Sequence, residues 1–228
     1  MGAYVKNTIF DDIMSAIAPH HCCGCGIVGT ILCESCKYDI SNEPYAGCIT
    51  CGRIANNGHC GRCQTAYERG WCVGTREDTL QSLIDDFKFN RKQQAHQALA
   101  QLLNDTVPML PSDVVVTSVP TVARHIRVRG YDHSMLLARE FARLRGLRYR
   151  PTLLRATNTQ QRGASRNVRL QQAAQAFVAR DTIESRTYLL VDDIVTTGAS
   201  LHHAAKALKN NGAHSVWVAV LAHQPLAS

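Results

Sequence analysis

The sequence predicts a parallel α/β domain that follows a small cysteine-rich module, and three observations support this fold class. The first is the uninterrupted apolar run from Tyr188 to Val191, which is typical of a parallel strand buried on both faces. The second is a similar stretch at residues 113–119, which ends at Pro120. The third is the distribution of cysteine, because all ten cysteines lie between residues 22 and 72. A chain of 228 residues is long enough for one full domain and a small module.

The cysteines include four Cys-x-x-Cys pairs. A two-residue spacer lets both thiolates of a tight turn face one tetrahedral ion, and Zn²⁺ at structural sites prefers a closed shell of thiolates. No signal sequence is recognisable, so disulfides are a weaker explanation than metal. We therefore predict two structural zinc ions in a double zinc ribbon over residues 20–72. The predicted ligands are Cys22, Cys25, Cys33, Cys36, Cys48, Cys51, Cys60 and Cys63.

The spacing of the pairs leaves open how the ligands divide between the two ions. In the simplest assignment the first two pairs hold one ion and the last two hold the other, but a crossed arrangement of first pair with third also fits. Cys23 is an alternative ligand to Cys22, and Cys72 is expected to be a small buried side chain. A Gly-x-Gly-x-x-Gly pattern at residues 24–29 neither follows a strand nor begins a helix, so we reject it as a dinucleotide site.

The spacing of apolar residues predicts the remaining elements, with proline and glycine at their ends. In chain order we expect an amphipathic helix before Pro19, a short strand around Trp71 and Val73, helices over 80–89 and 95–103, a helix after Ser134 that ends near Arg145, a helix from Ala199 to Asn210, and a final strand over 214–221.

Polar groups suited to a phosphorylated sugar follow the apolar run. Asp192 and Asp193 come first, and small residues from Thr196 to Ser200 then lead into the predicted helix. The backbone amides, hydroxyls and helix N-terminus of such a loop bind phosphate. Because carboxylates do not bind phosphate, the acidic pair should serve sugar hydroxyls or a phosphate-bound Mg²⁺. In open α/β folds, ligands bind at the carboxyl ends of the strands.

Residues 189–200, Leu-Leu-Val-Asp-Asp-Ile-Val-Thr-Thr-Gly-Ala-Ser, resemble the phosphoribosyl-pyrophosphate (PRPP) signature of type I phosphoribosyltransferases. The resemblance implies that Asp192 and Asp193 are the catalytic pair, which holds the ribose and Mg²⁺. It also implies a pyrophosphate loop after the strand that ends at Pro120. The residues expected to bind PRPP are Lys88, Ser118, Val119, Arg129, Thr196, Thr197, Gly198, Ala199 and Ser200. Salvage enzymes for 6-oxopurines carry Asp at the position of Thr196, which argues against that substrate class.

Residues 129–134, Arg-Gly-Tyr-Asp-His-Ser, resemble the Arg-Gly-Phe-Asn-Gln-Ala element of the ComF family of competence-associated proteins. Asp132 places a charge where that family carries an amide. The cysteine pairs and a Phe-Lys-Phe element at residues 87–89 precede it and a flexible-loop motif at residues 155–160 follows it, all in family order, with Arg166 a candidate loop contact. The resemblance covers almost the whole chain. It implies a type I phosphoribosyltransferase-like parallel sheet flanked by helices over residues 79–228, after the double zinc ribbon.

The resemblance implies a protein that binds PRPP with Mg²⁺ and is linked to DNA uptake in natural competence. It implies pentosyl transfer from PRPP, with the acceptor left open, and a pocket that binds PRPP without turnover is equally compatible. The alternative is a non-catalytic module that binds single-stranded nucleic acid and keeps a vestigial or sensory PRPP pocket. Partners would then include single-stranded DNA and other DNA-uptake proteins.

The charge of the chain bears on that alternative, and its hydropathy bears on membrane insertion. The formal net charge is +7, and the segment from Phe141 to Arg180 contains nine arginines and no acidic residue, which suits a polyanion. Aromatic residues that could stack on bases are few among these arginines, Tyr149 being one of them. No apolar run is long enough for a membrane span, so we expect no membrane insertion and a cytoplasmic location.

Overall fold

The computed structural model describes residues 20–90, 92–155, 176–180 and 182–225. The strands are β1 (Arg69–Thr75), β2 (Val115–Ser118), β3 (Arg148–Tyr149), β4 (Leu153–Arg155), β5 (Phe177–Ala179), β6 (Thr187–Val195) and β7 (Ser215–His223). Five of them form a parallel sheet in the order β1-β7-β6-β2-β3, while β4 and β5 form a separate antiparallel pair. The predicted parallel α/β class is confirmed.

Six α-helices lie in the described ranges. They are α1 (Glu34–Asn42), α2 (Asp78–Lys88), α3 (Ala95–Thr106), α4 (Ala123–Arg129), α5 (His133–Arg145) and α6 (Ala199–Asn210). Those expected near residues 80–89, 95–103 and 199–210 are present, and α6 has the bounds that the sequence predicted. None of these helices combines the length and the apolar character needed to cross a lipid bilayer.

Helices cover both faces of the sheet, which explains the uninterrupted apolar run in β6. Leu189 and Val191 face the layer that contains buried side chains of α2, α3 and α5. Tyr188 and Leu190 face the opposite layer, where α6 packs. All four side chains are fully buried. Successive residues of a strand point to opposite faces, so a strand covered on both sides must be apolar throughout.

Strand β6 is longer than the apolar run alone predicts. The pairing with β7 continues beyond the run, with Asp192 opposite Val220 and Val195 opposite His223. The acidic pair therefore lies within the last part of the strand and not after it. This placement holds the backbone of both aspartates in the sheet, so only their side chains are free to reorient.

The cysteine-rich region is joined to the sheet by β1. The short strand expected around Trp71 is present, and it pairs in parallel with β7 along its whole length, from Arg69 to Thr75. The strand thus contains residue 72, the expected end of the cysteine module, and belongs to the central sheet. The division into modules at residues 20–72 and 79–228 stays a prediction. Helix α1, which the sequence did not predict, packs beside α2 and α3, and Lys37 forms an ion pair with Asp105 at 2.9 Å.

Asp132 has a clear structural role at the start of α5. Its carboxylate accepts a hydrogen bond from the backbone N–H of Met135 at 3.1 Å and another from the Thr121 hydroxyl at 2.8 Å. Both contacts need only an acceptor, and an aspartate supplies one as well as an asparagine does. The predicted helix before Pro19, the motif at residues 156–160 and Arg166 lie outside the described residues.

Candidate functional site

A cavity of about 230 Å³ opens at the carboxyl ends of β2 and β6. Its walls come from β4, β6, the loop after β2, and helices α2, α4, α5 and α6. The lining residues are Lys88, Val119, Pro120, Thr121, Val122, His125, Arg129, His133, Ser134, Arg155, Asp192, Asp193 and Ser200. A second hollow of about 60 Å³ adjoins it and is lined by Asp192 and residues 194–201. The two share Asp192 and Ser200, so residues that are far apart in sequence meet at one edge of the sheet.

Asp193 is the centre of a buried charge cluster. Its Oδ2 lies 2.9 Å from the Nζ of Lys88 and 2.6 Å from the Nε2 of His133, and the residue is 5% exposed. Burial alone would raise the pKa of Asp193, but the hydrogen bond from His133 and the charge of Lys88 outweigh it and hold this pKa well below its usual range. Asp193 is therefore ionised at neutral pH and paired with partners from two different helices.

Asp192 has the opposite electrostatic environment. Burial, reinforced by the negative charge of Asp193, raises the pKa of Asp192 to about 7. The hydroxyl of Ser134 donates to its Oδ1 at 3.1 Å, and this contact opposes the shift without cancelling it. A carboxylate whose charge is so poorly compensated is suited to receive a cation, because a cation supplies the missing positive charge.

His133 connects this cluster to Arg129. The Nη1 of Arg129 lies 2.9 Å from the Nδ1 of His133, so Arg129 donates and the imidazole accepts. The other ring nitrogen of His133 then carries the proton and donates to Asp193. The guanidinium carbon of Arg129 also lies 5.2 Å from the centre of the Phe89 ring. Arg129 is thus held at the cavity wall by an aromatic ring and an imidazole.

The loop before α6, expected from the sequence to bind phosphate, leads directly into the N-terminus of that helix. Gly198 has φ of +70° and is the N-cap of the helix, a conformation that favours glycine. Thr196, Thr197, Ala199 and Ser200 are exposed. The first-turn amides of a helix have no intrahelical acceptor, and the helix dipole adds positive potential. This end of α6, twelve residues long, can therefore bind an anion in the smaller hollow.

Only some of the backbone N–H groups in the expected pyrophosphate loop are free to donate to a ligand. The N–H of Val119 donates to the carbonyl of Val191 at 3.0 Å, and Pro120 has no N–H. Ser118 does not line the cavity, and its hydroxyl lies 3.2 Å from the Tyr149 hydroxyl. In the described part of the chain, the amides of Thr121 and Val122 are the first in this loop without a backbone acceptor. The roles expected for Ser118 and Val119 in ligand binding stay predictions.

Apart from the loop after β2, four cavity residues were absent from the expected site. His133 and Ser134 belong to the Arg-Gly-Tyr-Asp-His-Ser element, but nothing local in the sequence shows that they contact the acidic pair. His125 lies on α4, a helix that the sequence analysis missed, and Arg155 ends β4. Burial lowers the pKa of His125, and the nearby positive charge of Arg129 lowers it further. The cluster of basic residues in α4 is the one sequence signal that could have indicated that this helix lines the cavity.

The cysteines form two separate groups of four. Cys22, Cys25, Cys33 and Cys36 form the first cluster, and Cys48, Cys51, Cys60 and Cys63 form the second cluster. Within each, the four sulfur atoms lie within 4.8 Å of one another. The sequential pairing is therefore the one observed, and the crossed arrangement is not. Four thiols at this separation fit a tetrahedral Zn²⁺ with no open position, which suits a structural site.

Backbone amides favour the thiolate form of one ligand in each cluster, whereas burial and the neighbouring thiols raise the pKa of another, Cys36 or Cys63, to about 12. Burial would raise the pKa of Cys22, but amides from Cys25, Cys33 and Gly24 lower it to about 6. Amides of Arg62 and Cys63 lower the pKa of Cys60 to about 6 as well. Cys23 is excluded from the first cluster, since its sulfur lies 3.8 Å from the carbonyl of Thr79. Cys72 is buried in the sheet, as expected.

Several arginines of the acid-free segment are neutralised by residues outside it or serve the fold. Arg143 pairs with Glu140 at 2.7 Å, and Arg148 and Arg150 both pair with Glu184. The guanidinium of Arg145 donates to carbonyls at the end of α3, including that of Asn104 at 2.5 Å. The segment is therefore a weaker polyanion surface than its composition predicts. Arg162, Arg166 and Arg169 lie outside the described residues.

Comparisons with known proteins bear on the family of this chain. Residues 134–226 match a family model described as a phosphoribosyl transferase domain. The chain is 32% identical over 187 residues to DNA utilization protein YhgH of Escherichia coli K12, across 75% of this chain and 81% of that protein. It is 30% identical over 204 residues to competence protein F of Haemophilus influenzae, across 82% of this chain and 88% of that protein. The chain belongs to the ComF family.

The ComF-family chain has the predicted architecture, a type I phosphoribosyltransferase-like parallel sheet preceded by two Cys₄ clusters. Among solved structures it is similar to glutamine phosphoribosylpyrophosphate amidotransferase from B. subtilis, solved with ADP and GMP. That similarity has a TM-score of 0.41 and 21% identity, over 55% of this chain and 25% of that one.

Proposed function

We propose that this chain binds PRPP together with Mg²⁺ in the cavity at the carboxyl ends of β2 and β6. One observation carries the proposal. The same cavity is lined by Asp192, a carboxylate whose charge is incompletely neutralised, and by Ser200, at a helix N-terminus suited to an anion. A ligand for both must combine a phosphate with a cation or sugar hydroxyls. The family-model match over residues 134–226 supports the choice of a phosphoribosyl donor.

The roles of the residues follow from their positions. The amides and hydroxyls of Thr196 to Ser200 would bind the 5′-phosphate, and Asp192 would meet the ribose hydroxyls or the cation. Lys88 and Arg129, which line the larger cavity, would contact the pyrophosphate. Mg²⁺, when bound, neutralises part of the pyrophosphate charge. In a transfer reaction, the bond from C1 to pyrophosphate breaks as a bond from C1 to the acceptor forms, and pyrophosphate leaves with the electron pair. The acceptor stays open.

Replacing Ser200 with aspartate tests the phosphate loop. Ser200 is exposed, so the change should leave the fold intact while placing a carboxylate beside the bound phosphate. Repulsion between two such charges at about 4 Å is worth several kcal/mol, so we expect affinity for PRPP to fall by roughly 100-fold or more. The measurement is the rise in melting temperature of the metal-replete protein with PRPP and Mg²⁺.

Ser200→Ala is the matched control, because it removes one hydroxyl and keeps the helix amides. We expect it to lower the affinity by no more than about tenfold. Equal stabilisation of the wild type and Ser200→Asp by the ligand would remove the phosphate loop from the proposed site.

Single-stranded DNA is a second candidate ligand, favoured by helix α4. Arg124 and Arg127 are exposed beside the cavity, and in the described ranges no carboxylate lies within ion-pair distance of either. The relatives' names, DNA utilization protein and competence protein F, support a link to DNA. The cytoplasmic location and the DNA-uptake partners are proposals as well. Free thiols in two Cys₄ clusters fit a reducing compartment.

The dependence of DNA affinity on salt tests α4 as a DNA contact. Each phosphate contact with a single strand contributes about 0.7 to the slope of log K against log salt. Arg124→Ala with Arg127→Ala should therefore reduce the slope by about 1.4. Arg143→Ala, which removes an arginine already paired with Glu140, is the control and should leave the slope unchanged. An unchanged slope in the double variant would exclude α4 as the contact surface.

A further inference from the structure

The second cluster contacts the phosphate loop through Thr50. This residue lies between the ligands Cys48 and Cys51, and it packs directly against Gly198. A Cβ on Gly198 would lie 3.0 Å from the Oγ1 of Thr50 and 3.4 Å from its Cα. The N-cap residue of α6 therefore packs against the backbone of the turn that joins Cys48 to Cys51.

Thr50 is itself held firmly. Its hydroxyl lies 2.8 Å from the hydroxyl of Tyr67, a residue of the core on the α6 side of the sheet. The adjacent Ile49 is fully buried in the same core, and its N–H donates to the carbonyl of Gly58 at 3.0 Å. The turn can move only if this packing is disturbed, so its position is coupled to the geometry of the four ligands.

A second contact reaches the other end of the loop through His223. His223 pairs with Val195, the last residue of β6, and its ring centre lies 5.4 Å from that of Tyr45. The hydroxyl of Tyr45 donates to the carbonyl of Cys48 at 3.1 Å. The N–H of Gln224, next along the chain, donates to the carbonyl of Val195 at 2.8 Å. Residues 195 and 198 are thus both supported by the second cluster's surroundings.

The first cluster has a different neighbour. A Cβ on Gly24, between its ligands Cys22 and Cys25, would lie 2.8 Å from the Oγ1 of Thr79, in the first turn of α2. None of the first cluster's contacts in the described ranges reaches residues 195–200. Both clusters consist of two Cys-x-x-Cys pairs, so the first is an internal control for the second.

We propose that the second cluster, when it holds its metal, positions the phosphate loop through Thr50, whereas the first cluster supports α2 and its neighbours and not this loop. Thr50 is a positioning residue that acts on the ligand site through Gly198. The consequence for ligand binding rests on the proposed function, since it requires that this loop binds the 5′-phosphate. The mechanical coupling does not require it, and it can be measured without any ligand.

Hydrogen exchange of two backbone amides reports the loop directly. The N–H of His202 donates to Gly198 at 2.9 Å, and that of Gln224 donates to Val195, so both are protected only while the loop keeps its geometry. The N–H of Gln81, which donates to Glu77 at 3.0 Å, is the corresponding reporter for α2. We would follow all three by NMR in the full-length, zinc-replete protein and in variants of each cluster.

We expect Cys60→Ser, in the second cluster, to speed exchange at His202 and Gln224 by about tenfold or more, and at Gln81 by less than about twofold. Cys33→Ser, in the first cluster, should show the reverse pattern. Uniform acceleration at all three amides in both variants, or no acceleration at His202 in Cys60→Ser, would overturn the proposal.

Thr50 variants keep the test valid if the cysteine variants unfold. Thr50→Gly retains all eight ligands, so zinc content is unchanged, and exchange at His202 should still be faster by about tenfold. Thr50→Ser keeps the hydroxyl and should restore the wild-type rate. Slow exchange at His202 in Thr50→Gly would contradict the proposal. If exchange responds as expected but PRPP does not bind the wild type, the proposed function fails while the coupling stands.

Discussion

Replacing Asp193 with asparagine is expected to destabilise the folded protein by about 3–5 kcal/mol, because it leaves Lys88 facing a neutral group in a buried site. His133 would lose the acceptor that holds its ring in place. The effect should be large because the Lys88 side chain is 13% exposed and water cannot replace the lost carboxylate. Urea unfolding at pH 7, with the slope of the transition compared between variants, measures this loss.

The pH dependence of this effect has a definite sign. A carboxylate whose pKa is lower in the folded state contributes its stabilisation above the unfolded pKa, about 3.9 for aspartate, and loses it as the pH falls toward the folded pKa. The difference in stability between wild type and Asp193→Asn should therefore be constant from pH 7 to about pH 5 and shrink below about pH 4. A difference that grew on acidification would contradict the assigned ion pair.

Asp192→Asn is the matched control, with the opposite expectation. The raised pKa of Asp192 means that its charged form is unfavourable in the folded protein without a cation. This penalty is present above pH 7 and is relieved as the carboxyl takes up a proton between pH 7 and pH 4. The asparagine variant should therefore be more stable than the wild type at pH 8, and this advantage should shrink below pH 7 and vanish near pH 4. Equal destabilisation by Asp192→Asn and Asp193→Asn would show that the two carboxylates are not distinguished as proposed.

Removing metal from both clusters is expected to lower the stability of the folded protein, which is the second large effect. Structural Zn²⁺ contributes about 10–16 kcal/mol to the folding of isolated zinc-finger peptides, and part of that should reach the whole chain here, because Cys48 and Ile49 are buried against the sheet. For a chain of this length, 1 kcal/mol corresponds to about 2–4 °C, so the melting temperature should fall by roughly 10 °C or more. Scanning calorimetry after chelation, with zinc content measured in parallel, tests this.

Reconstitution separates a metal effect from damage by the chelator. Adding Zn²⁺ back should restore the original melting temperature, and Mg²⁺ should not, because thiolates prefer zinc to a hard cation. An unchanged melting temperature after complete loss of zinc would mean that the Cys₄ clusters do not contribute to the fold.

Local sequence patterns predicted the elements whose bounds are set by residues close to them in the chain. The bounds of α6 follow from the glycine before it and the Asn-Gly pair after it, which the structure reproduces. The sequence could not show that β1 joins the sheet, since a seven-residue strand beside a cysteine module gives no indication of its partner. The pairing of the cysteine ligands was equally open, because identical spacers fit either arrangement and only the tertiary structure separates them.

The same distinction applies to the candidate site. Asp192, Asp193 and the loop to Ser200 lie in one continuous stretch, so a motif could identify them. The pairing of Asp193 with Lys88 and His133 joins residues 105 and 60 positions apart in the chain, and no local pattern encodes it. Lys88, expected to bind pyrophosphate, is thus held by a carboxylate in the free protein. A pyrophosphate group would compete with Asp193 for it, which is a consequence that only the structure reveals.

Calorimetric titration of the zinc-replete protein with PRPP, with and without Mg²⁺, tests the central claim most directly. We expect one ligand per chain with Mg²⁺ and much weaker binding without it. Because Asp192 would release a proton when the cation arrives, the heat at pH 7 should change with the ionisation enthalpy of the buffer. Asp192→Asn should lose both the Mg²⁺ requirement and the proton release. Absence of binding by folded wild-type protein with Mg²⁺ present would contradict the account.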